Sequence, residues 1–478
     1  MLRMLGGIAR KSFGGIVAVV LTTCVCTLGQ GRSAPVDPGV RGGPAGAGTP
    51  LKGLTADETA FFLDGQARFA DVEAVTKGSN NGLGPRFNSN QCFSCHSQPD
   101  AGGTSPAKNP LPEVAVLNGA KNTVPWFIAQ NGPIREARFK KSNGVADGSV
   151  HDLFVIAGRS DAPGCNLAQF DFLPAGNPLT GHGGNPNIVF RIPTPVFGAG
   201  LIEAIPDSAI LANMKADAAL KSALGISGHA NSHLSGNVNR SANDGTITRF
   251  GWKAQNKSLL LFSAEAYNVE MGVTNQLFPQ ERDETPGCLL NPTPEDTLNF
   301  TTTPAATGNS SGISNPAVIS DIEAFANFMR MLAPPTPAPA TALSEKGRGT
   351  FAKIGCVHCH TPSLTTGARI ASGSSTNPSA VLSNQTANLY SDLIVHHMGK
   401  GLADGITQAG AGPDEFRTAP LWGVGQRVFF LHDGRTSNLV EAIRDHKSPG
   451  SEARKVVERF NKLSTQEQQE IIDFLRSL

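Results

Sequence analysis

The chain of 478 residues has little charge, few cysteines and almost no long apolar stretch. Its 40 Lys and Arg balance 39 Asp and Glu to a net charge of +1, which argues against nucleic acid as a partner because such proteins carry a clustered positive excess. Only 17% of residues are charged, whereas Gly numbers 53 and Pro 33, which excludes a coiled coil and a charged disordered tail. Eight cysteines are too few to staple a chain of this length. We expect a globular protein rich in loops.

The first segment is typical of a secretory signal peptide. Three basic residues precede an uncharged apolar run over 13–28, and small residues follow. The run is shorter than the about 20 residues that a spanning helix needs, and no later stretch is apolar for long enough either. The sequence therefore predicts a signal peptide over 1–34, a periplasmic or exported protein, and no transmembrane helix in the mature chain. The bulk of Thr23 disfavours lipid anchoring at Cys24.

Two Cys-x-x-Cys-His motifs, at 92–96 and 356–360, carry the strongest chemical signal. Covalent attachment of haem needs two thiols that add to the two vinyl groups of the porphyrin, and the adjacent His then binds iron on the proximal side. A redox Cys pair or half a zinc site is the alternative for one isolated motif. Two motifs behind an export signal predict two covalently bound haem c groups. The predicted haem-binding residues are Cys92, Cys95, His96, Cys356, Cys359 and His360.

Two further cysteines remain outside the motifs and the signal segment. Cys165 and Cys288 each follow a glycine in a loop-like context. In an oxidising compartment the pair predicts a structural disulfide, and two separate thiols are the alternative.

The two motifs divide the chain into two haem-binding parts. The sequence predicts a flexible Gly- and Pro-rich lead-in over 35–53, an N-terminal haem domain over 54–332, a Pro-rich linker over 333–340 and a C-terminal cytochrome c-like domain over 341–478. The N-terminal part is much longer than one cytochrome needs, so loops or extra elements must surround its core. We expect a mainly α fold of two cytochrome c-like domains, with long loops and minor β structure in the N-terminal domain.

Three helices are predicted close to these boundaries. An apolar pattern predicts one over 319–332, and a second over 344–353 should end at Gly355. Ser464 and Glu467 form the spacing of a capping box that opens a terminal amphipathic helix.

Several longer segments make the sequence resemble a known family. They are Gly-Pro-Arg-Phe-Asn at 84–88, the run at 191–207, and the segments 250–255, 268–272, 390–399, 411–435 and 439–446. With them the chain, from Leu54 to Leu478, is similar to bacterial di-haem cytochrome c peroxidases and MauG-like enzymes. Within that superfamily it resembles the di-haem oxidoreductases, some of which carry a thiol oxidoreductase label. The resemblance implies an N-terminal haem that reduces a small oxidant such as hydrogen peroxide, with electrons from a redox partner protein or another donor arriving through the C-terminal haem.

The resemblance also assigns roles to single residues of the N-terminal site. Glu270 matches the distal glutamate of the peroxidases, which takes a proton from one peroxide oxygen and returns it to the other. Trp252 matches the aromatic residue between the two haems, although a buried structural Trp is the alternative. Arg135 and Arg138 are candidates for pairing with haem propionates.

The resemblance leaves a choice for the sixth ligand of the C-terminal haem. Di-haem peroxidases place a Met where this chain has His446, so the alignment favours a low-spin haem bound by His360 and His446. Two imidazoles stabilise ferric iron and should lower the reduction potential. His397 and Met398 are the alternative ligands.

The superfamily often holds a calcium ion between its domains, so one calcium ion is allowed by resemblance, although the chain has no dedicated calcium loop. Two other functions stay open. One is a non-enzymatic di-haem electron-transfer cytochrome, and the other is a haem oxygenase acting on an organic substrate. The thiol label gains no support because no redox-spaced Cys pair exists outside the haem motifs.

Overall fold

The computed structural model describes residues 34–76, 80–117, 124–172, 187–232, 246–298, 316–368 and 379–478. The predicted signal peptide, apart from Ala34, lies outside them. Within these ranges, no helix combines the length and the apolar character needed to cross a membrane.

Helices are the main regular secondary structure of the described residues, as expected for the predicted mainly α class. The helices are α1 (Ala56–Phe69), α2 (Cys92–Cys95), α3 (Leu111–Leu117), α4 (Ala199–Ala204), α5 (Asp207–Lys215), α6 (Ala218–Leu224), α7 (Leu259–Met271), α8 (Asp321–Met331), α9 (Ala342–Ile354), α10 (Leu439–Asp445), α11 (Arg454–Lys462) and α12 (Thr465–Ser477).

The strands are short and form small antiparallel sheets. They are β1 (Arg86–Phe87), β2 (Glu136–Phe139), β3 (Lys141–Ser142), β4 (Val145–Ala146), β5 (Val150–His151), β6 (Phe154–Val155), β7 (Ile188–Arg191), β8 (Leu364–Thr365), β9 (Thr386–Ala387), β10 (Val395–His397) and β11 (Glu415–Arg417). The fold-class prediction of a mainly α protein with minor β structure is confirmed.

The three helices predicted near the motifs are confirmed. Helix α8 matches the first within two residues of each end. Helix α9 ends at Gly355, whose φ of 106° is the left-handed conformation that glycine adopts easily. The side chain of Ser464 accepts from the backbone N–H of Glu467, and the Glu467 side chain accepts from the Ser464 backbone, so the capping box at α12 is complete.

Two helix pairs, α1 with α8 and α9 with α12, stand at the centres of two apolar cores. Each pair crosses at a glycine. A Cβ atom added to Gly65 would lie 2.3 Å from the carbonyl oxygen of Ala324, and one added to Gly347 would lie 1.8 Å from that of Glu470. The two backbones are therefore in direct contact, which no larger residue would allow.

Each haem motif packs against its own core. The thiols at 92 and 95 touch the first core, and those at 356 and 359 touch the second. The cores exchange residues across the predicted linker, since Leu224 joins the second core and Leu393 the first. Residues 35–478 form one compact unit, and the predicted domain boundaries stay predictions.

The lead-in is attached to the C-terminal part. Asp37 forms an ion pair with Arg476 at 2.7 Å, and both side chains are almost fully buried. Its carboxylate also accepts from the backbone N–H of Leu439 at 2.6 Å. The flexibility predicted for 35–53 rests on its Gly and Pro content, and composition carries no information about a buried ion pair such as this one.

One sheet among the described residues has three strands. Its strand order is β5-β2-β7, and Glu136 on β2 lies opposite Arg191 on β7. Because side chains alternate along a strand, Glu136, Arg138 and Arg191 lie on one face.

The predicted disulfide is confirmed, since Cys165 and Cys288 are bonded across a separation of 123 residues. We expect the double change of Cys165→Ala and Cys288→Ala to lower the free energy of unfolding by roughly 2–5 kcal/mol, because the bond closes a long loop in the unfolded chain. Denaturant unfolding followed by circular dichroism measures this difference. Equal unfolding midpoints for the wild type and the double variant would contradict it.

Candidate functional site

A cavity of about 450 Å³ lies beside the first motif. Cys92, Cys95 and His96 line it, and so do Trp252 and Glu270. The structure therefore brings these five predicted residues together, although they come from distant parts of the chain, and Arg135 and Arg138 line the same cavity.

The ring of His96 is oriented by the backbone. The backbone N–H of His96 donates to the carbonyl of Cys92 at 3.1 Å, which places the residue directly after the single turn of α2. Its Nδ1 lies 3.0 Å from the carbonyl oxygen of Gly103, so Nδ1–H donates to that oxygen. The ring also forms a hydrogen bond with the backbone of Thr194. Burial lowers the pKa of His96, which favours the neutral imidazole that a metal requires.

A pair of carboxyl groups faces this cavity. Glu270, near the end of α7, and Glu136, on β2, both line it, and their side chains hydrogen bond to each other. Nε of Arg138 lies 2.6 Å from Oε1 of Glu136. Burial, reinforced by the negative charge of Glu136, raises the pKa of Glu270 well above its usual value. Burial acts in the same direction on Glu136, but Arg138 and the hydrogen bond from Glu270 outweigh it and hold the pKa of Glu136 below its usual value.

The sequence predicts that Arg138 pairs with a haem propionate, and it predicts no role for Glu136. In the structure the guanidinium of Arg138 is engaged by Glu136 instead. Arg135 lines the cavity and donates to the carbonyls of Asp433 at 2.9 Å and Gly434 at 3.4 Å, so its charge is available to an anionic group. The sequence signal for Glu136 is its spacing of two residues from Arg138, which places both side chains on one face of a strand. That strand has only four residues and is too short to be predicted from the sequence.

A second cavity, of about 220 Å³, lies beside the second motif. Its lining includes Cys356, Cys359, His360, Met398 and His446. The structure thus brings the two histidines predicted as axial ligands to one cavity.

A backbone carbonyl oxygen orients the ring of each of these two histidines, as it does for His96. Nδ1 of His360 lies 3.0 Å from the carbonyl oxygen of Tyr390, and Nδ1 of His446 lies 2.6 Å from that of Ala442. In each case Nδ1–H donates and Nε2 is left for a metal. Burial lowers the pKa of His360 to about 4 and also lowers the pKa of His446, so both rings are neutral at neutral pH.

The two alternative ligands differ in position. The side chain of His397 is 51% exposed and pairs with Asp414 at 2.9 Å and with Glu415 at 3.2 Å. It is not among the residues that line the second cavity, whereas Met398 is. The role of His446 stays a prediction, with Met398 as the alternative that the geometry allows.

The second cavity also carries two buried cations. Arg417 and Arg427 line it, and burial lowers the pKa of each guanidinium to about 10. Their side chains donate to the carbonyls of Gly251 at 3.0 Å and Pro420 at 3.2 Å, and neither forms an ion pair with a carboxylate in the described ranges. Buried charges without counter-charges are costly. Two free thiols, a neutral His and two such guanidinium groups fit a haem with its two anionic propionates.

A third histidine lines the second cavity without being free to bind haem iron. Nε2 of His396 lies 2.9 Å from Asp392, and Nδ1 lies 2.7 Å from Glu452. Within the described residues, Cys359, Asp392 and His396 are close enough to share a metal ion. Thioether formation would take the Cys359 sulfur for haem, which leaves an ion-paired histidine.

Trp252 lines both cavities and therefore forms part of the wall between them. Its Nε1–H donates to the carbonyl of Ile192 at 2.8 Å, and its own carbonyl accepts from the N–H of Arg417 at 2.8 Å. Towards the second cavity its ring lies 6.4 Å from that of His432, which stacks on Phe416 at 4.2 Å. The inter-haem role that the family resemblance assigns to Trp252 stays a prediction.

A protein-family model described as "Di-haem oxidoreductase, putative peroxidase" matches residues 185–478. The matched family supports haem cofactors and a general redox role. No curated protein matches the chain.

Solved structures show more distant similarity. The diheme peroxidase BthA from Burkholderia thailandensis is 14% identical, with 48% of this chain and 65% of that chain covered and a TM-score of 0.27. A MauG-like protein associated with microbial copper homeostasis is 19% identical, with 36% and 55% covered and a TM-score of 0.23. Kuenenia stuttgartiensis hydrazine synthase is 20% identical, with 33% and 55% covered and a TM-score of 0.22. The chain spans from about half to just under two thirds of the length of these three proteins.

Proposed function

We propose, since this chain belongs to the family of di-haem oxidoreductases, that it is an exported, peroxidase-like enzyme with two haem c groups. The C-terminal haem, low spin and bound by His360 and His446, would pass electrons to the N-terminal haem. The N-terminal haem, held by Cys92, Cys95 and His96, would reduce a small oxidant such as hydrogen peroxide.

The observation that carries this proposal is the difference between the two cavities. The first contains one neutral histidine, His96, together with the hydrogen-bonding carboxyl group of Glu270. The second combines two such histidines, His360 and His446. The first cavity thus has a group that can transfer protons, and the second has two histidines that could both bind a metal.

Haem, when bound, would supply an iron centre and the electrons for reduction of the oxidant. The chain's own contribution in the first cavity is proton transfer by Glu270. Peroxide cleavage needs one group that removes a proton from one oxygen and delivers a proton to the oxygen that leaves as water. Trp252 would stand in the electron path between the cavities.

The proposal also includes the partners and the location. The electron donor would be a redox partner protein or another reductant that meets the C-terminal haem outside the cytoplasm, where haem c is attached. The calcium ion allowed by the resemblance stays an expectation.

We expect Glu270→Gln to lower peroxide turnover by roughly 10²–10⁴-fold, because the amide cannot take up a proton. Haem content and the absorption spectrum should stay those of the wild type. Stopped-flow peroxide consumption by the reduced di-haem protein measures the effect.

The matched control is Glu265→Gln, on the same helix and lining the same cavity, where the carboxylate is held by Asn256. It should retain turnover. Unchanged turnover in Glu270→Gln would remove Glu270 from the reaction. Two low-spin haems that do not react with peroxide after partial reduction would identify a pure electron carrier instead.

A further inference from the structure

The first cavity contains a second carboxyl group whose role goes beyond the single distal acid proposed above. Glu136 reaches the cavity from the sheet, whereas Glu270 reaches it from a helix. They are separated by 134 residues of sequence, yet their side chains hydrogen bond. Two carboxylates repel each other, so this contact requires that the pair hold a proton.

The surroundings decide which member carries that proton. Arg138 contacts Glu136 directly at 2.6 Å and also donates to the carbonyl of Gly148 at 2.9 Å. Glu136 therefore carries the negative charge, and Glu270 donates to it.

The second cation on this face of the sheet is neutralised by another group. Arg191, opposite Glu136, pairs with Asp404 at 2.6 Å, and Asp404 also lies 3.2 Å from Nζ of Lys253. All three side chains are almost fully buried. Because Asp404 holds Arg191 and Lys253, Arg138 is the cation in direct contact with the pair.

We propose that Glu136 and Glu270 act as one proton-sharing pair, in which Glu136 is the positioning residue that lets Glu270 both accept and donate. This inference rests on the proposed peroxidase function. A lone protonated Glu270 can donate but cannot accept. With Glu136 beside it, Glu270 can pass its proton to Glu136 while taking one from the peroxide.

The step balances over the pair. A proton released by one peroxide oxygen enters at Glu270, and a proton from Glu270 goes to the oxygen that leaves as water. The O–O bond breaks, and two electrons from the reduced protein together with two protons from solvent convert the remaining oxygen atom into a second water. The external donor then re-reduces the protein. The pair ends with one proton, as it began.

The test compares two variants, one that removes the negative charge beside Glu270 and one that removes the cation beside Glu136. Glu136→Gln removes the negative neighbour, so Glu270 should lose its proton at lower pH. Arg138→Met removes the cation, so the pair should hold its proton to higher pH. Further charged or titratable groups close to the pair are unchanged in both variants. They include Arg191, Asp152 with its partner Arg282, Glu265, His96 and the thiols of Cys92 and Cys95.

We expect peroxide reduction to fall roughly tenfold or more in Glu136→Gln. The alkaline limb of its pH profile should move to lower pH by about one unit, since one unit corresponds to a tenfold change in the protonation equilibrium. In Arg138→Met the limb should move to higher pH. Infrared difference spectra give a readout independent of turnover, because the carbonyl band of the protonated carboxyl group should disappear at lower pH in Glu136→Gln than in the wild type, and at higher pH in Arg138→Met.

Haem content and circular dichroism identify a variant that fails to fold, and the other variant then decides the question. If Glu270→Gln is slow while Glu136→Gln keeps the wild-type rate and pH profile, the pair is wrong and the peroxidase function stands. Limbs that move in the same direction in both variants would also overturn the pair. If Glu270→Gln itself reacts at the wild-type rate, the proposed function fails instead.

Discussion

Replacing both Cys356 and Cys359 by alanine is expected to reduce the covalently bound haem from two groups to one. The thiols are free and half-buried at the wall of the second cavity, and without them no thioether bond can form there. The change should also destabilise the C-terminal part, because Arg417 and Arg427 lose the anionic groups that we assign to them. An uncompensated buried ion costs several kcal/mol.

Haem staining of the denatured chain and the pyridine haemochrome spectrum measure this loss. Val357→Ala, which lies between the two thiols and keeps both, is the matched control and should retain two haems. Double replacement of Cys92 and Cys95 should remove the other group in the same way. Haem that comes away from the wild type in acidified organic solvent would contradict covalent attachment at both sites.

The second large effect is expected at His446. His446→Gly should convert the C-terminal haem from low spin to high spin, because it removes the neutral imidazole that we propose as the second ligand and that lines the same cavity as His360. His446→Met should keep the haem low spin and raise its reduction potential by on the order of 0.1 V, a part of the roughly 0.8 V range that axial ligands span. Electron paramagnetic resonance and a spectroelectrochemical titration measure the two effects.

The control variants come from the neighbouring ligand candidates. His397→Gly should leave both spectra unchanged, because its half-exposed ring pairs with Asp414 and Glu415 outside the cavity. Met398→Leu keeps the shape of the cavity and should also remain low spin. A spectrum that changes in Met398→Leu but not in His446→Gly would assign the sixth position to the thioether.

The sequence predicted the elements whose signals are local. The capping box at Ser464, the glycine that ends α9 and the apolar face of α8 each depend on neighbouring residues, and the structure confirms them. The two haem motifs are recognisable for the same reason, because five adjacent residues carry the whole pattern, and each motif lies beside a cavity. Haem attachment at them stays a prediction. The Cys165–Cys288 bond was predictable by elimination.

Features that depend on distant contacts could not be predicted in this way. The pairing of Glu136 with Glu270 needs a sheet face and a helix end to meet, and the strand that carries Glu136 has only four residues. The position of Leu224 in the second core likewise follows from tertiary packing and not from any periodicity. Burial of Asp37 against Arg476 is invisible to composition, which registers only the Gly and Pro around it.

The attachment of Trp252 at two points bears on the timing of exchange between the centres. Its indole nitrogen and its carbonyl are held by Ile192 and Arg417, which belong to different parts of the chain. If both cavities hold haem as proposed, an indole fixed in this way would stand between the two centres without a swinging side chain. We then expect electron exchange to depend on tunnelling distance and driving force and to be insensitive to solvent viscosity.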